Sequence, residues 1–290
     1  MSGIETQPAI GTVYLKVANL ERQMTFYQDV IGMRIQHQEN DSVFLGANGT
    51  DHLLALSAKP EARRYTGTTG LYHFAVLVPS RYHLALSLRR LMDTETPLQG
   101  ASDHLVSEAL YLADPEGNGI EIYRDRPRSE WYKNGDIQMG TLPMDFQGVM
   151  SELNGQDRTW NGLDSHTIMG HIHLHVASIP AAQKLYHDVL NLDVMFNIGT
   201  ALFLSYDGYH HHVGANIWSG RTPPPPDALG LDKFILNLSD ERLENILDRL
   251  HAADIPTQES EQGTLIHDPS QNAIELVSYG DTGADAGQTQ

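Results

Sequence analysis

Cysteine is absent from all 290 residues. That excludes disulfides, thiolate nucleophiles and cysteine-ligated zinc or iron–sulfur sites, and it fits a reducing compartment, so a cytoplasmic location is expected. Basic side chains are scarce. Lysine and arginine total 19 against 37 aspartates and glutamates, a formal charge of −18. Such a chain repels phosphate backbones and anionic lipid, so neither nucleic acid nor a membrane surface is an expected partner. No segment is apolar for the roughly 18 residues that a membrane-spanning helix needs. The first eleven residues, MSGIETQPAIG, lack a basic region followed by an apolar core, so no signal peptide is expected. The last residues, 281–290, are rich in Gly, Asp and Gln and read as a disordered tail.

Histidine, by contrast, occurs 15 times. Without cysteine, any transition-metal site must be built from histidine, carboxylate, tyrosine or water. Three consecutive histidines, His210, His211 and His212, sit inside the chain and lead into the short apolar run VGANIW.

The chain repeats itself. VYLKVANLERQMTFYQDVIGM (Val13 to Met33) matches IHLHVASIPAAQKLYHDVLNL (Ile172 to Leu192), with Val17, Tyr27 and Asp29 opposite Val176, Tyr186 and Asp188. Phe44 and Gly49 match Phe203 and Gly208 at the same offset, so the register holds without a gap. LADPEGNGIEIY (Leu112 to Tyr123) matches IHDPSQNAIELV (Ile266 to Val277), aligning Asp114, Asn118 and Glu121 with Asp268, Asn272 and Glu275. Repeats of this kind decide the fold before local propensities do. Each half divides again. VYLKV, LYHFAVLV, IHLHV and DKFILNL read as strands. An amphipathic helix follows each, with Asn19, Ser80, Ser178 and Ser239 or Asp240 as capping residues. Short strands with Gly, Asn and Asp punctuation come next. The unit is βαβββ, present four times. The segment from Asp125 to Gly162 between the halves has weak periodicity and reads as a wrapping linker, and RTPPPPDALG reads as a stiff polyproline connector.

Four such units, with histidine near a first strand and GNxIE in a last strand, resemble the vicinal oxygen chelate superfamily of glyoxalases, bleomycin-resistance proteins and extradiol dioxygenases. SEALYLADPEGNGIEIYRDRP and GYHHHVGANIW look like the catechol 2,3-dioxygenase type in particular. The resemblance spans roughly residues 10 to 280. It implies an α+β fold in which four βαβββ modules pair into two homologous cupped-sheet domains. The expected division is 8–126 for a non-catalytic N-terminal domain, 127–167 for the linker and 168–280 for the metal-site domain.

In the family, the first and last strands of two paired modules supply the metal ligands. Within the N-terminal half these positions hold Thr12, Leu53, His73 and Glu121, and His73 and Glu121 read there as structural. Within the C-terminal half they hold His171, His212, Lys233 and Glu275. The expected ligand set is therefore His171, His212 and Glu275, a facial triad suited to Fe(II), with Mn(II) as the alternative. Lys233 occupies a position where ring-cleaving relatives place a histidine. Alternation along a strand would point His210 and His212 into the cup and His211 away. His210 or His173 is then the proton carrier, and Phe203 and Trp218 are candidates for the ring pocket.

The function implied is extradiol cleavage of an aromatic vicinal diol by O2. A glyoxalase-like lyase or isomerase on Zn(II), Ni(II) or Mn(II), and a metal-free binding protein favoured by Lys233, stand as alternatives. The sequence leaves a homo-oligomer open.

Overall fold

The computed structural model describes residues 9–47, 49 and 52–279; the expected disordered tail lies outside the described residues. Four modules are present, each supplying four strands. The first holds β1 (Ile10–Val17), β2 (Arg34–Glu39), β3 (Ser42–Gly46) and β4 (His52–Ala58). The second holds β5 (Gly70–Leu77), β6 (Gly100–Asp103), β7 (Ser107–Ala113) and β8 (Gly119–Asp125). The third holds β9 (Ile168–His175), β10 (Asp193–Asn197), β11 (Ala201–Ser205) and β12 (Val213–Asn216). The fourth holds β13 (Gly230–Leu238), β14 (Gln258–Glu259), β15 (Thr264–His267) and β16 (Ala273–Ser278).

A helix follows the first strand of every module, and the four expected caps form. Asn19, Ser80, Ser178 and Ser239 accept hydrogen bonds from the backbone N–H groups of Arg22, His83, Ala181 and Arg242. Each satisfies one of the donors that a helix leaves open at its start. The first and third helices run into π turns, Tyr27–Ile31 and Lys184–Val189. These turns carry the two matched tyrosines inward, where both are fully buried. Tyr27 donates to Asp114 at 2.9 Å, and Tyr186 donates to Asp268 at 3.2 Å. Burial, and then the charge of that aspartate, push both phenols well above their usual range, so they remain donors. Each aspartate opens the DPxxN turn of the module that follows. It also accepts from the backbone and side-chain amides of Asn118 or Asn272. The strongest matches between the repeats are thus the buried pairs that tie two consecutive modules together.

The sheets join modules in a different way. One runs β14-β15-β16-β13-β1-β4-β3-β2 and combines the fourth module with the first. The other runs β6-β7-β8-β5-β9-β12-β11-β10, with the linker strand Leu142–Pro143 added beside β6, and combines the second module with the third. The seams are the antiparallel pairs β1/β13 and β5/β9. The expected modules and cupped sheets are present. Pairing of the modules within each sequence half is corrected: each sheet takes one module from residues 8–126 and one from residues 168–280. Alignment of repeats shows which modules are alike, but it carries no information about which edges meet. The linker, expected as a wrapping segment, carries the helix Phe146–Ser151 and an edge strand, and its Met139, Gly140 and Thr141 cover part of a cavity in the second sheet.

The first sheet carries its own buried ion pair. Glu275 on β16 is fully buried, and Lys233 on β13 places its ammonium 2.6 Å from the carboxylate and 4.7 Å from the Tyr14 ring centroid. Removing the lysine alone strands a buried charge, whereas removing both partners does not. Lys233→Met is therefore expected to cost about 3 kcal/mol of folding stability, and the double variant Lys233→Met/Glu275→Leu to regain most of it. Chemical denaturation of the three proteins measures this. A single variant as stable as the parent would show that the pair is dispensable.

Candidate metal centre and its cavity

The β5/β9 seam sets the site. In register, Ala75 lies opposite His171 and His73 opposite His173, and the parallel β5/β8 pair sets Ala75 beside Glu121. His73, His171 and Glu121 thereby meet on one face of the sheet, all buried. The Nε2 atoms of His73 and His171 each lie 3.0 Å from Glu121 Oε2. One potential ligand atom from each of the three lies within 4.8 Å of the others. Gly119, two residues ahead of Glu121, permits the close approach of β8 to β5, because a Cβ there would lie 2.0 Å from the Tyr72 carbonyl oxygen.

The electrostatics suit a cation. Burial acts to raise the pKa of Glu121, but His171 and then His73 hold it well below the usual carboxylate range. Burial lowers His171 to about 4 against the opposing pull of Glu121. The centre at neutral pH is a carboxylate with a neutral imidazole beside it, the protonation states that metal binding requires. Two imidazoles and one carboxylate form the donor set of a facial triad, which leaves the opposite face of a metal open. The residues present therefore fit a divalent transition metal. His73 Nε2 lies close to the Glu121 carboxylate but outside hydrogen-bond geometry, and His171 Nδ1 has no hydrogen-bond partner.

Above the three lies a cavity of about 480 Å3. His73, Glu121, Tyr111, His173, Phe203 and His211 line its inner part. Gly214 leaves room for His173, since a Cβ at that position would approach the imidazole to 2.8 Å. His173 is buried with Nε2 unpartnered, and burial followed by the neighbouring His73 and His171 holds its pKa well below the ordinary value.

The histidine triplet lies in an irregular turn before β12, so strand alternation does not apply to it. His211, expected to face away, lines the cavity and lies with its ring centroid 4.1 Å from that of His171. His210, expected in the cup, is fully buried behind it. Its Nδ1 lies 2.8 Å from His211 Nδ1, and its Nε2 lies 2.9 Å from Asp125 Oδ1. His212, expected as a ligand, accepts from the Tyr206 backbone N–H at 3.1 Å and stacks on Tyr209. Burial lowers its pKa to about 3.

Of the expected ligands, only His171 joins the cluster. His212 is turned to the tyrosines, and Glu275 belongs to the other sheet, where Lys233 holds it. The physical reason is the cross-half pairing. The eight template positions, grouped by half, yield no complete histidine–carboxylate set without His212. Grouped by sheet, they put His73, Glu121, His171 and His212 with one cup, His212 turned aside, and Thr12, Leu53, Lys233 and Glu275 with the other. The grouping of His73 and Glu121 with His171 was legible under that second reading. His211 and Asp125 were not, because loop geometry brings them in. His173, Phe203 and Trp218 all line the cavity, as expected.

Comparison with known proteins agrees with this architecture. Residues 9–122 match the model of the Glyoxalase/Bleomycin resistance protein/Dioxygenase superfamily. A protein named catechol-2,3-dioxygenase from Bacillus subtilis (strain 168) is 40% identical over 282 residues, covering 94% of this chain and 98% of that protein. Among solved structures, a putative dioxygenase from Bacillus subtilis subsp. subtilis str. 168 aligns with a TM-score of 0.62 at 14% identity, covering 93% of this chain and 84% of the other. Glyoxalase I from Zea mays aligns with a TM-score of 0.57 at 14% identity, covering 93% and 92%. The two structures share the fold; the near-full-length relationship to the Bacillus protein goes further, and on it the chain belongs to the Glyoxalase/Bleomycin resistance protein/Dioxygenase superfamily.

Proposed function

We propose that the protein is an extradiol dioxygenase that opens the ring of a catechol-like diol with O2, using a divalent metal held by His73, His171 and Glu121. The observation that carries this reading is the convergence of those three side chains at the inner end of an aromatic-walled cavity. The relationship to the Bacillus catechol-2,3-dioxygenase supports it. Fe(II) fits the donor set, and Mn(II) is the alternative. When bound, such an ion supplies Lewis acidity toward the two diol oxygens and a route for electrons from diol to dioxygen.

The chain's own residues supply the rest. Phe203, His173 and Trp218 form a wall for a flat ring, with Phe203 and Trp218 set 5.5 and 5.7 Å from the His173 ring. The buried cluster keeps bulk water from the reacting oxygens. Proton handling falls to His211. The Asp125 carboxylate, which also accepts from Tyr209 at 3.1 Å, accepts a hydrogen bond from His210 Nε2–H. In this arrangement His210 accepts at Nδ1, and His211 donates there through its own Nδ1. That tautomer leaves a lone pair on His211 Nε2, able to take a proton from a diol hydroxyl in the cavity. Burial, then His171 and His210, keep His211 well below the usual imidazole range and hence neutral. His210, expected as the proton carrier, serves here to orient His211.

One metal per chain is expected. His73→Ala, Glu121→Ala and His171→Ala should each abolish its loading, and His212→Ala and Glu275→Gln should leave it intact, as read by elemental analysis of anaerobically loaded protein. Retention of full metal by the Glu121 variant, or its loss in the Glu275 variant, would move the site.

His211→Ala should keep the metal and slow turnover by roughly 10²–10⁴-fold. Asp125→Asn should slow turnover less, with the metal again retained. Equal turnover in parent and His211→Ala, at matched metal content, would remove His211 from the chemistry.

The reaction itself is tested by oxygen uptake together with visible absorbance. Iron- or manganese-loaded protein should consume one O2 per catechol and form a coloured ring-opened semialdehyde. Zinc-loaded protein should consume none, because zinc does not change its oxidation state. Absence of uptake in samples carrying one iron per chain would sink the dioxygenase reading. Turnover of a hemithioacetal by the same samples would replace it with a glyoxalase-like one.

A further inference from the structure

We infer that the cavity selects uncharged catechols bearing an apolar alkyl or aryl substituent and rejects those with a carboxylate on the ring. The inference rests on the dioxygenase reading for the diol, but its evidence is the remainder of the cavity.

Size comes first. About 480 Å3 lies within the range, roughly 300–1,000 Å3, that holds a drug-sized ligand. A lone catechol ring beside the metal ligands leaves most of it unfilled. Besides His73, Glu121, His173 and Phe203, the cavity is lined by Tyr72, Ile198 and Trp218, whose exposure marks the side open to solvent. These three are among the exposed large hydrophobic side chains of the described residues, at 40%, 53% and 52%. Trp218 meets Tyr72 edge to face with centroids 5.6 Å apart. Exposed apolar groups gathered at one opening mark a surface kept for an apolar ligand, whereas scattered ones need no explanation.

Charge comes second. No lysine or arginine is among the described residues lining the cavity, and its one carboxylate is that of Glu121. His104 is engaged at both nitrogens, with Nδ1 donating to the Gly140 carbonyl at 2.6 Å and Nε2 set 2.7 Å from the Tyr111 hydroxyl. A carboxylate attached directly to the ring, away from the diol, would lie against this wall with no lysine or arginine to pair it, and burying an unpaired charge is strongly unfavourable. The chain's net charge of −18 adds long-range repulsion. An alkyl or aryl group in the same place exchanges water for Phe203, Ile198 and Trp218.

The test is isothermal calorimetry on zinc-loaded and metal-free protein, with catechol, an ethylcatechol, a phenylcatechol and a dihydroxybenzoate with adjacent hydroxyls as titrants. Kd should fall at least tenfold from catechol to phenylcatechol and should rise for the dihydroxybenzoate. In Trp218→Ala the preference for phenylcatechol over catechol should shrink toward unity. Ile198→Lys should narrow the gap between the dihydroxybenzoate and phenylcatechol, because it puts a cation at the mouth. Equal or tighter binding of the dihydroxybenzoate by the parent protein, no binding of any catechol, or an unchanged preference in Trp218→Ala would overturn the inference. Oxygen uptake with iron-loaded protein separates this from the reaction. The predicted binding order without any uptake would uphold the selectivity and remove the dioxygenase reading.

Discussion

The antiparallel contact between β5 and β9 is the constraint on which the rest depends. It joins a strand from the first sequence half to one from the second, in a register that puts Ala75 opposite His171 and His73 opposite His173. The parallel neighbour β8 then needs only its own register to bring Glu121 to the same point. Because side chains alternate along strands, a slip of one residue at this seam would send His171 to the opposite face and dissolve the cluster. Backbone hydrogen bonds and the apolar residues behind the sheet hold that register. Phe74, Ile172 and Leu174 are fully buried there. The site is thus carried by strands rather than loops, a precise way to hold ligand atoms in place.

The other sheet shows the same frame put to a different use. Thr12 stands where the second sheet has His171, Lys233 where it has His73, and Glu275 where it has Glu121. The carboxylate is kept, but its cation is the ammonium of Lys233 at 2.6 Å. Thr12 turns its hydroxyl to the His52 carbonyl at 2.8 Å. A buried glutamate needs a positive partner in either cup. One cup meets the need with a lysine from the chain itself, and in the other the carboxylate meets the imidazoles of His73 and His171. The pairing of Lys233 with Glu275 accounts for the lysine at a ligand position without any loss of the site, since that position belongs to the cup without one.

Contacts within each half complete the assembly. The Tyr27–Asp114 and Tyr186–Asp268 pairs anchor the helix of one module to the turn of the next. Arg90 and Arg249, at equivalent places, donate to the backbone carbonyls of Asp29 and Asp188. Each module is therefore bound twice: to its sequence neighbour through helix and turn, and to a module of the other half through strand edges. These two kinds of contact run in different directions through the molecule, which makes four small units into one framework.

Much of this is determined by the sequence alone. The matched motifs established four modules, because a unit with one apolar sheet face must repeat its strand, helix and turn signals at fixed spacing. The caps at Asn19, Ser80, Ser178 and Ser239 followed from local chemistry, and His171, His173, Phe203 and Trp218 could be placed at the cup from their module positions. Only the tertiary structure decided which modules share a sheet. Hydrogen bonding between strand edges is nearly blind to side-chain identity, so alignment of like with like could not show that β5 meets β9. That one choice brought His73 and Glu121, read from sequence as structural, together with His171 in the buried cluster and gave Glu275 to Lys233. It left His212 against Tyr209. The triplet escaped sequence reading for a second reason: it lies in an irregular turn, where no period relates neighbouring side chains, and only packing against Asp125 and His171 determines that His210 is buried while His211 faces the cavity.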